Sequence, residues 1–348
     1  MTSLVIQTAF LGDVVLTTPL LRALAERDGP LDVLTTPAAA PLLETHPAVR
    51  RVIPYAKRGA DRGWRGLRRL ARQLQAAGYA TAYLPHRSLR SAALAWLARI
   101  PRRVGFHDGW RLLYTETRHR PREREGEEGR HEVDRLLALA DATASGGEVR
   151  RHHLMPNLET TIHDRARVEG FLREHHLHEP FAALAPGSIW GSKRWPAFAM
   201  VAERLAPRVG IVVVGGPEDA ALGAEITAAV GRCGGRAASA CGRLGLRESV
   251  DVIRRACVLV TNDSAPLHFA QAVGTPTVAL FGPTVPAFGF GPRGPRDCAL
   301  GVAGLPCRPC SRHGPPVCPL GHHHCMTQLS LEQVLTAIEE TGALHRRD

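Results

Sequence analysis

Short apolar runs alternate with amphipathic stretches along most of the chain. Leu4–Thr8, Leu31–Thr35, Arg51–Pro54, Thr81–Leu84 and Arg103–Gly105 read as strands, with helical patterns at Val15–Arg27, Gly66–Ala77 and Leu89–Ile100 between them. Residues 118–130 (RHRPREREGEEGR) break the alternation. This charged run carries Pro and Gly and no apolar period, which predicts an exposed loop. A helix is expected from His131 to about Ala142, then a polar stretch to Pro156. The alternation restarts with strands at Phe181–Ala185, Gly210–Val214, Val258–Thr261 and Thr277–Phe281. Strands separated by helices predict parallel sheets covered on both faces. The break predicts two similar α/β domains joined near residues 156–180.

The stretches with chemical potential sit where strands end. Thr261-Asn262-Asp263-Ser264-Ala265-Pro266-Leu267-His268 leaves a strand through a polar turn and opens a helix with Pro266 near its first position, where a missing N–H costs nothing. The helix should run to Gly274, and its free N–H groups favour an anion such as a diphosphate. His268 by itself reads equally as a buried, hydrogen-bonded helix residue. Near the start, Gly12 offers a tight backbone turn after the first strand and Asp13 stands where a helix cap would. In Leu184–Pro196 (LAPGSIWGSKRWP) a strand gives way to a Gly/Ser loop and then a helix start, suited to phosphate. The spacing is not that of a Walker loop, and Trp195 reads as core. In Val212–Asp219 (VVVGGPED) a buried strand ends in glycines and acids, and Glu218 or Asp219 could accept from ribose hydroxyls, although acids suit any first helical turn.

Together these stretches resemble glycosyltransferase family nine, the lipopolysaccharide heptosyltransferases, over roughly residues 3 to 340. The resemblance implies an α/β fold of GT-B type, with two Rossmann-like parallel-sheet domains facing a cleft. Residues 1–165 would form the acceptor-side domain and 166–329 the nucleotide-sugar domain with a cysteine-rich tail. Residues 330–348 would form a last helix packing back towards the first domain, opened by a capping box at Ser330 and Gln333. The implied activity is inverting, metal-independent transfer of heptose from ADP-heptose to the inner core of lipopolysaccharide or a similar anionic glycolipid. Another nucleotide sugar or acceptor is the alternative within the same chemistry. In this pattern Asp13 is the general base beside Gly12. Lys193 offsets charge on the departing diphosphate, and Gly12, Gly187, Ser188, Ser192, Glu218, Asn262, Asp263, Ser264 and His268 line the donor site. His86-Arg87-Ser88 and Arg103–Phe106 resemble the family's acceptor-side loops.

Charge sharpens the acceptor side. Net charge is +11, yet residues 50–124 alone hold 19 Lys/Arg against 4 Asp/Glu, so the rest of the chain is net negative. Arg65, Arg68, Arg69 and Arg72 fit the solvated face of a helix, but so one-sided a block favours an anionic partner. With aromatics at 5 % and no nucleic-acid motif, a phosphorylated lipid or saccharide suits better than RNA or DNA. Arg87 and Arg90 are the residues expected to meet it. Cys307, Cys310, Cys318 and Cys325, with His322–His324 between the last two, have the look of a zinc knuckle in a Pro/Gly-rich loop short of apolar residues. Their spacing fits no standard finger, so structural zinc is an option and no cofactor is required. Cys233, Cys241, Cys257 and Cys298 read as isolated thiols, and a reducing compartment disfavours disulfides. A non-enzymatic module binding zinc and nucleic acid is the reading of a different class. Asp13 and Lys193 at opposing strand ends count against it. No signal segment and no run of about 20 apolar residues is visible, so a cytoplasmic monomer with peripheral contact at the inner membrane is expected.

Overall fold

The computed structural model describes residues 2–120, 130–140 and 155–344. Most of the charged run and most of the polar stretch before Pro156 lie outside these residues, and the helix expected to reach Ala142 ends at Leu137. The chain divides into two compact units, Met1–Glu159 and Thr160–Asp348.

The first unit runs β1 (Ser3–Ile6), α1 (Leu11–Asp28), β2 (Leu31–Thr35), α2 (Ala40–Leu43), β3 (Val49–Pro54), α3 (Gly63–Ala76), β4 (Thr81–Leu84), α4 (Leu89–Leu97), β5 (Arg102–Phe106), β6 (Glu116–Arg118) and α5 (Glu132–Leu137). Its strands lie in the order β3-β2-β1-β4-β5-β6, all parallel. Every residue of β1 and β4 is buried, as continuous apolar runs in the middle of a doubly covered sheet must be. In α3, Leu67, Leu70, Ala71 and Leu74 turn inward at helical spacing, and Arg65, Arg68, Arg69 and Arg72 are left in solvent. Helix α1 starts four residues before the expected Val15 and tolerates a buried Pro19. The Thr18 hydroxyl donates to the Val15 carbonyl at 2.7 Å, the acceptor that Pro19 cannot serve.

The second unit runs α6 (Ile162–Glu174), β7 (Phe181–Ala185), α7 (Phe198–Leu205), β8 (Gly210–Val213), α8 (Ala220–Arg232), β9 (Ala237–Ser239), α9 (Leu246–Arg255), β10 (Val258–Asn262), α10 (Ala265–Val273), β11 (Thr277–Leu280), β12 (Cys298–Leu300), α11 (His324–Thr327) and α12 (Leu331–Glu340). Its parallel order, β9-β8-β7-β10-β11-β12, repeats that of the first sheet. Leu184, Val213, Val260 and Leu280 build its core with Phe198, Val201 and Trp195. The Trp195 indole N–H donates to Leu329 O at 3.0 Å, so this residue is a core member.

The last helix opens as its sequence predicts. The capping box forms, with Ser330 Oγ accepting from Gln333 N at 3.2 Å and Gln333 Oε1 accepting from Ser330 N at 2.9 Å. Val334, Ala337 and Ile338 enter the second unit's own core. Their spacing along one helical face supplies the apolar surface that β11 and α7 bury.

Candidate functional site

In both sheets the chain leaves the central strand on one side and returns on the other. A parallel sheet wound this way opens a crevice beyond the carboxyl ends of the two strands at the switch. In the second unit those strands are β7 and β10, and the Gly-Ser loop and the Asn262–His268 turn emerge there.

Lys193 is buried in a single 3₁₀ turn, Gly191–Lys193, and its Nζ lies 2.5 Å from Asp263 Oδ2 and 3.2 Å from Asp263 O. The Thr284 hydroxyl donates to the same carboxylate oxygen at 2.7 Å. Sequence reasoning missed Thr284, although it stands just past β11 in the same signature stretch. Asn262 at the end of β10 is fully buried and both ends of its amide are engaged: Nδ2 donates to Pro186 O at 2.8 Å and Oδ1 accepts from Trp195 N at 3.1 Å. Expected among the donor-lining residues, it instead staples the β7 loop to β10. Gly187 acts in a similar way. A Cβ there would fall 2.3 Å from the Asp219 carboxyl group, so the glycine makes room for that side chain. Asp219 is buried and its carboxyl is pushed up by desolvation. Glu218 is the acid of the pair that faces solvent.

Ser188 Oγ accepts from Trp190 N at 3.2 Å, which leaves its own O–H to donate. Ser192 is committed elsewhere, its hydroxyl donating to Pro315 O. Ser264 is the N-cap residue of α10, and among the described residues it makes no capping bond and its buried Oγ has no partner at the foot of the helix. Pro266 stands second in that helix, and Gly274 ends it in the left-handed conformation that glycine adopts without strain. His268 is buried, with Nδ1 3.0 Å from Gln271 Oε1. Gln271 Nε2 donates to Gly291 O at 3.0 Å, so its oxygen must face the ring and Nδ1 carries the proton. Burial holds the imidazole below its ordinary value, with the Gln271 contact opposing. His268 therefore offers Nε2 as an acceptor, suited to a hydroxyl rather than to a phosphate oxygen.

The first unit's crevice lies beyond β1 and β4. Gly12 and Asp13 stand inside the first turn of α1, whose N-cap is Phe10. Gly12 is thus helical and makes no tight turn, and Asp13 is the third helical residue, its Oδ2 accepting from the Phe10 amide at 3.2 Å. Such acids are favoured there by the helix dipole. Lys57 Nζ donates to Thr8 O at 2.6 Å, tying the loop after β3 to the end of β1. Burial and then Arg58 and Arg90 hold the Lys57 ammonium below its ordinary value. Among the described residues the buried His86 Nδ1 has no partner, and burial, Lys57, Arg120 and Arg87 together depress that imidazole. Arg87 is half-exposed and pairs with Asp108 at 3.0 Å. Arg90 is consumed by the fold: it donates to the Tyr55 hydroxyl, to Asp61 O at 2.8 Å and to Gly63 O at 3.2 Å. Of the two arginines expected to meet an acceptor, Arg87 is the more exposed.

Cys307, Cys310, Cys318 and Cys325 are free thiols. Among the described residues no three His, Cys, Asp or Glu side chains converge as a metal site, and no helix is long and apolar enough to cross a membrane.

The chain matches glycosyltransferase family 9 (heptosyltransferase) over residues 67–319. It is 28 % identical over 302 residues to lipopolysaccharide heptosyltransferase 2 of Escherichia coli K12, spanning 82 % of this chain and 84 % of that one. Among solved structures it is similar to a glycosyl transferase family 9 protein from Veillonella parvula, with a TM-score of 0.84, 25 % identity and coverage of 99 % and 97 %. It is also similar to E. coli ADP-heptose lps heptosyltransferase II, with a TM-score of 0.77, 26 % identity and coverage of 99 % and 98 %. The fold is of the GT-B type.

Proposed function

The chain belongs to glycosyltransferase family 9, and from that premise we propose that it moves heptose from ADP-heptose to the inner core of lipopolysaccharide or a similar anionic glycolipid. The observation that carries this reading is the Lys193–Asp263 pair at the foot of α10, in the switch-point crevice of a chain that aligns almost end to end with the E. coli ADP-heptose enzyme. Asp13 is the general base. As the acceptor hydroxyl oxygen bonds to the anomeric carbon, its proton passes to the Asp13 carboxylate, and the bond to the diphosphate breaks with its electron pair leaving on ADP. One displacement of this kind inverts the anomeric centre. Lys193, the Ser188 hydroxyl and the amino end of α10 stabilise the leaving diphosphate, so no divalent ion is invoked. Glu218 is placed for ribose hydroxyls, and the Nε2 of His268 for a sugar hydroxyl.

Arg87 and the cations around His86 suit an anionic acceptor. The exposed arginines of α3, beside the half-exposed Trp64, suit peripheral contact with an anionic membrane surface on the cytoplasmic side. The protein acts as a monomer in this reading. Turnover with a panel of nucleotide sugars on a lipopolysaccharide inner-core acceptor tests it, run with and without excess chelator. Transfer from ADP-heptose that persists in chelator is expected. Turnover with a different nucleotide sugar alone, or abolition by chelator with rescue by magnesium, overturns the corresponding part.

A further inference from the structure

The donor pocket has too little free positive charge. Lys193 is matched by Asp263, and Arg194 spends its guanidinium on Ser188 O at 2.8 and 3.0 Å, with Asp219 4.0 Å away. A nucleoside diphosphate arriving there carries at least two negative charges, so further donors are needed.

Residues 307–325 lie against this pocket. Ser192 donates to Pro315 O, and His323 Nε2 lies 2.6 Å from Ser192 O, which must accept from it. A Cβ on Gly191 would fall 2.6 Å from Pro316 O, and one on Gly314 would fall 3.3 Å from Lys193 Cε. The strap therefore rests directly on the turn that carries Lys193. His313, the residue before Gly314, is open to solvent. Partial burial and then the Lys193 and Arg312 cations depress its imidazole, while Asp263 pulls the other way, so the ring sits within electrostatic reach of all three.

We propose that the strap 307–325 is a wall of the donor pocket and that His313 contacts the terminal phosphate of the nucleoside diphosphate beside Lys193. This rests on the donor reading above. An anion there relieves the repulsion among His313, Lys193 and Arg312, so the ring donates to it in a charge-assisted hydrogen bond. His323 acts at one remove, as a positioning residue that seats the strap on Ser192.

Calorimetric titration of the full chain with ADP and with AMP tests this. His313→Ala should weaken ADP about tenfold and leave AMP unchanged, since AMP lacks the terminal phosphate. His313→Gln keeps a donor without the charge and should fall between. His323→Asn tolerates the left-handed backbone at that position. It should also weaken ADP, and the double variant should be no worse than His313→Ala alone, because both act through one contact. Melting temperatures report whether each variant stays folded. If the wild type binds no ADP, the donor reading falls and the inference with it. If the wild type binds ADP while His313→Ala binds it within twofold of wild type, or loses ADP and AMP equally, the inference alone is overturned.

Discussion

The two sheets share one strand order and place their crevices beyond corresponding strands, yet the crevices are furnished in opposite ways. Beyond β7 and β10, polar side chains are buried and matched: Lys193 with Asp263, Thr284 with Asp263, Asn262 with two backbone groups. Beyond β1 and β4 cations gather, and the His86 imidazole is depressed by burial first and then by Lys57, Arg120 and Arg87. The winding supplies a place for a ligand, and the side chains decide its charge. A neutralised pocket can hold a nucleotide through directed hydrogen bonds, whereas an unbalanced one draws an anion by its field.

Substitutions can break this division of labour. The largest effect is expected at Asp13. Asp13→Asn can still accept from the Phe10 amide, so the fold should survive, and turnover should fall roughly 10²–10⁴-fold with ADP affinity intact. Single-turnover kinetics beside ADP titration decide this, and activity within a few-fold of wild type would reduce Asp13 to a helix-start residue. The matched pocket should respond through stability instead. Asp263→Asn leaves the buried Lys193 charge uncompensated and should cost about 3–5 kcal/mol. Adding Lys193→Met should recover part of that loss in denaturant titrations, and no recovery would mean the pair is not the stabilising unit.

A third experiment separates the units by acid. His46 in the first unit is buried and pushed down to about 4, by burial first and Arg22 second. Its unfolded value is higher, so the unfolded state binds more protons between the two values and stability is lost as pH falls through that window. The loss approaches roughly 3 kcal/mol by pH 4. His46→Gln should flatten the pH dependence of melting there, and an unchanged slope would show that other groups set it. The smallest effect is expected at Arg87, which is exposed and screened. Arg87→Glu should raise the acceptor KM several-fold, more at low salt, and leave ADP affinity alone. Equal loss of both substrates would contradict the contrast between the crevices. Arg90 is unsuitable for such a test because its bonds to Tyr55, Asp61 and Gly63 hold the fold.

The central strands of both sheets were legible in the sequence because buried parallel strands are continuous apolar runs, as in Val258–Asn262 and Thr277–Leu280. The strands Glu116–Arg118, Ala237–Ser239 and Cys298–Leu300 were not, since three residues at or near a sheet edge leave no period to detect. The turn at Asn262–Ser264 announced itself through its residue types, yet Asn262 alone could not reveal that its amide would face Pro186 and Trp195. Asp13 read as a helix cap from spacing, three residues from the actual cap Phe10, because the helix begins on Leu11 with no polar marker. Long-range partners explain most of what stayed hidden. Ser192 meeting Pro315, or Gly187 admitting Asp219, depends on chain segments far away in sequence.

One guanidinium governs how the cysteine-bearing strap is attached. Arg308 donates to the carbonyls of Phe281, Gly282, Thr284 and Val302 at 2.7–3.3 Å. A planar cation that gathers four acceptors makes a self-contained anchorage at one end of the strap, and α11 closes the other. Between them Pro315 and His323 hold to Ser192, so the largely exposed stretch Val317–His322 is the part open to rewriting. A library of grafts confined to Val317–His322 would thus vary the wall of the pocket while the contacts of Pro315 and His323 with Ser192 are kept.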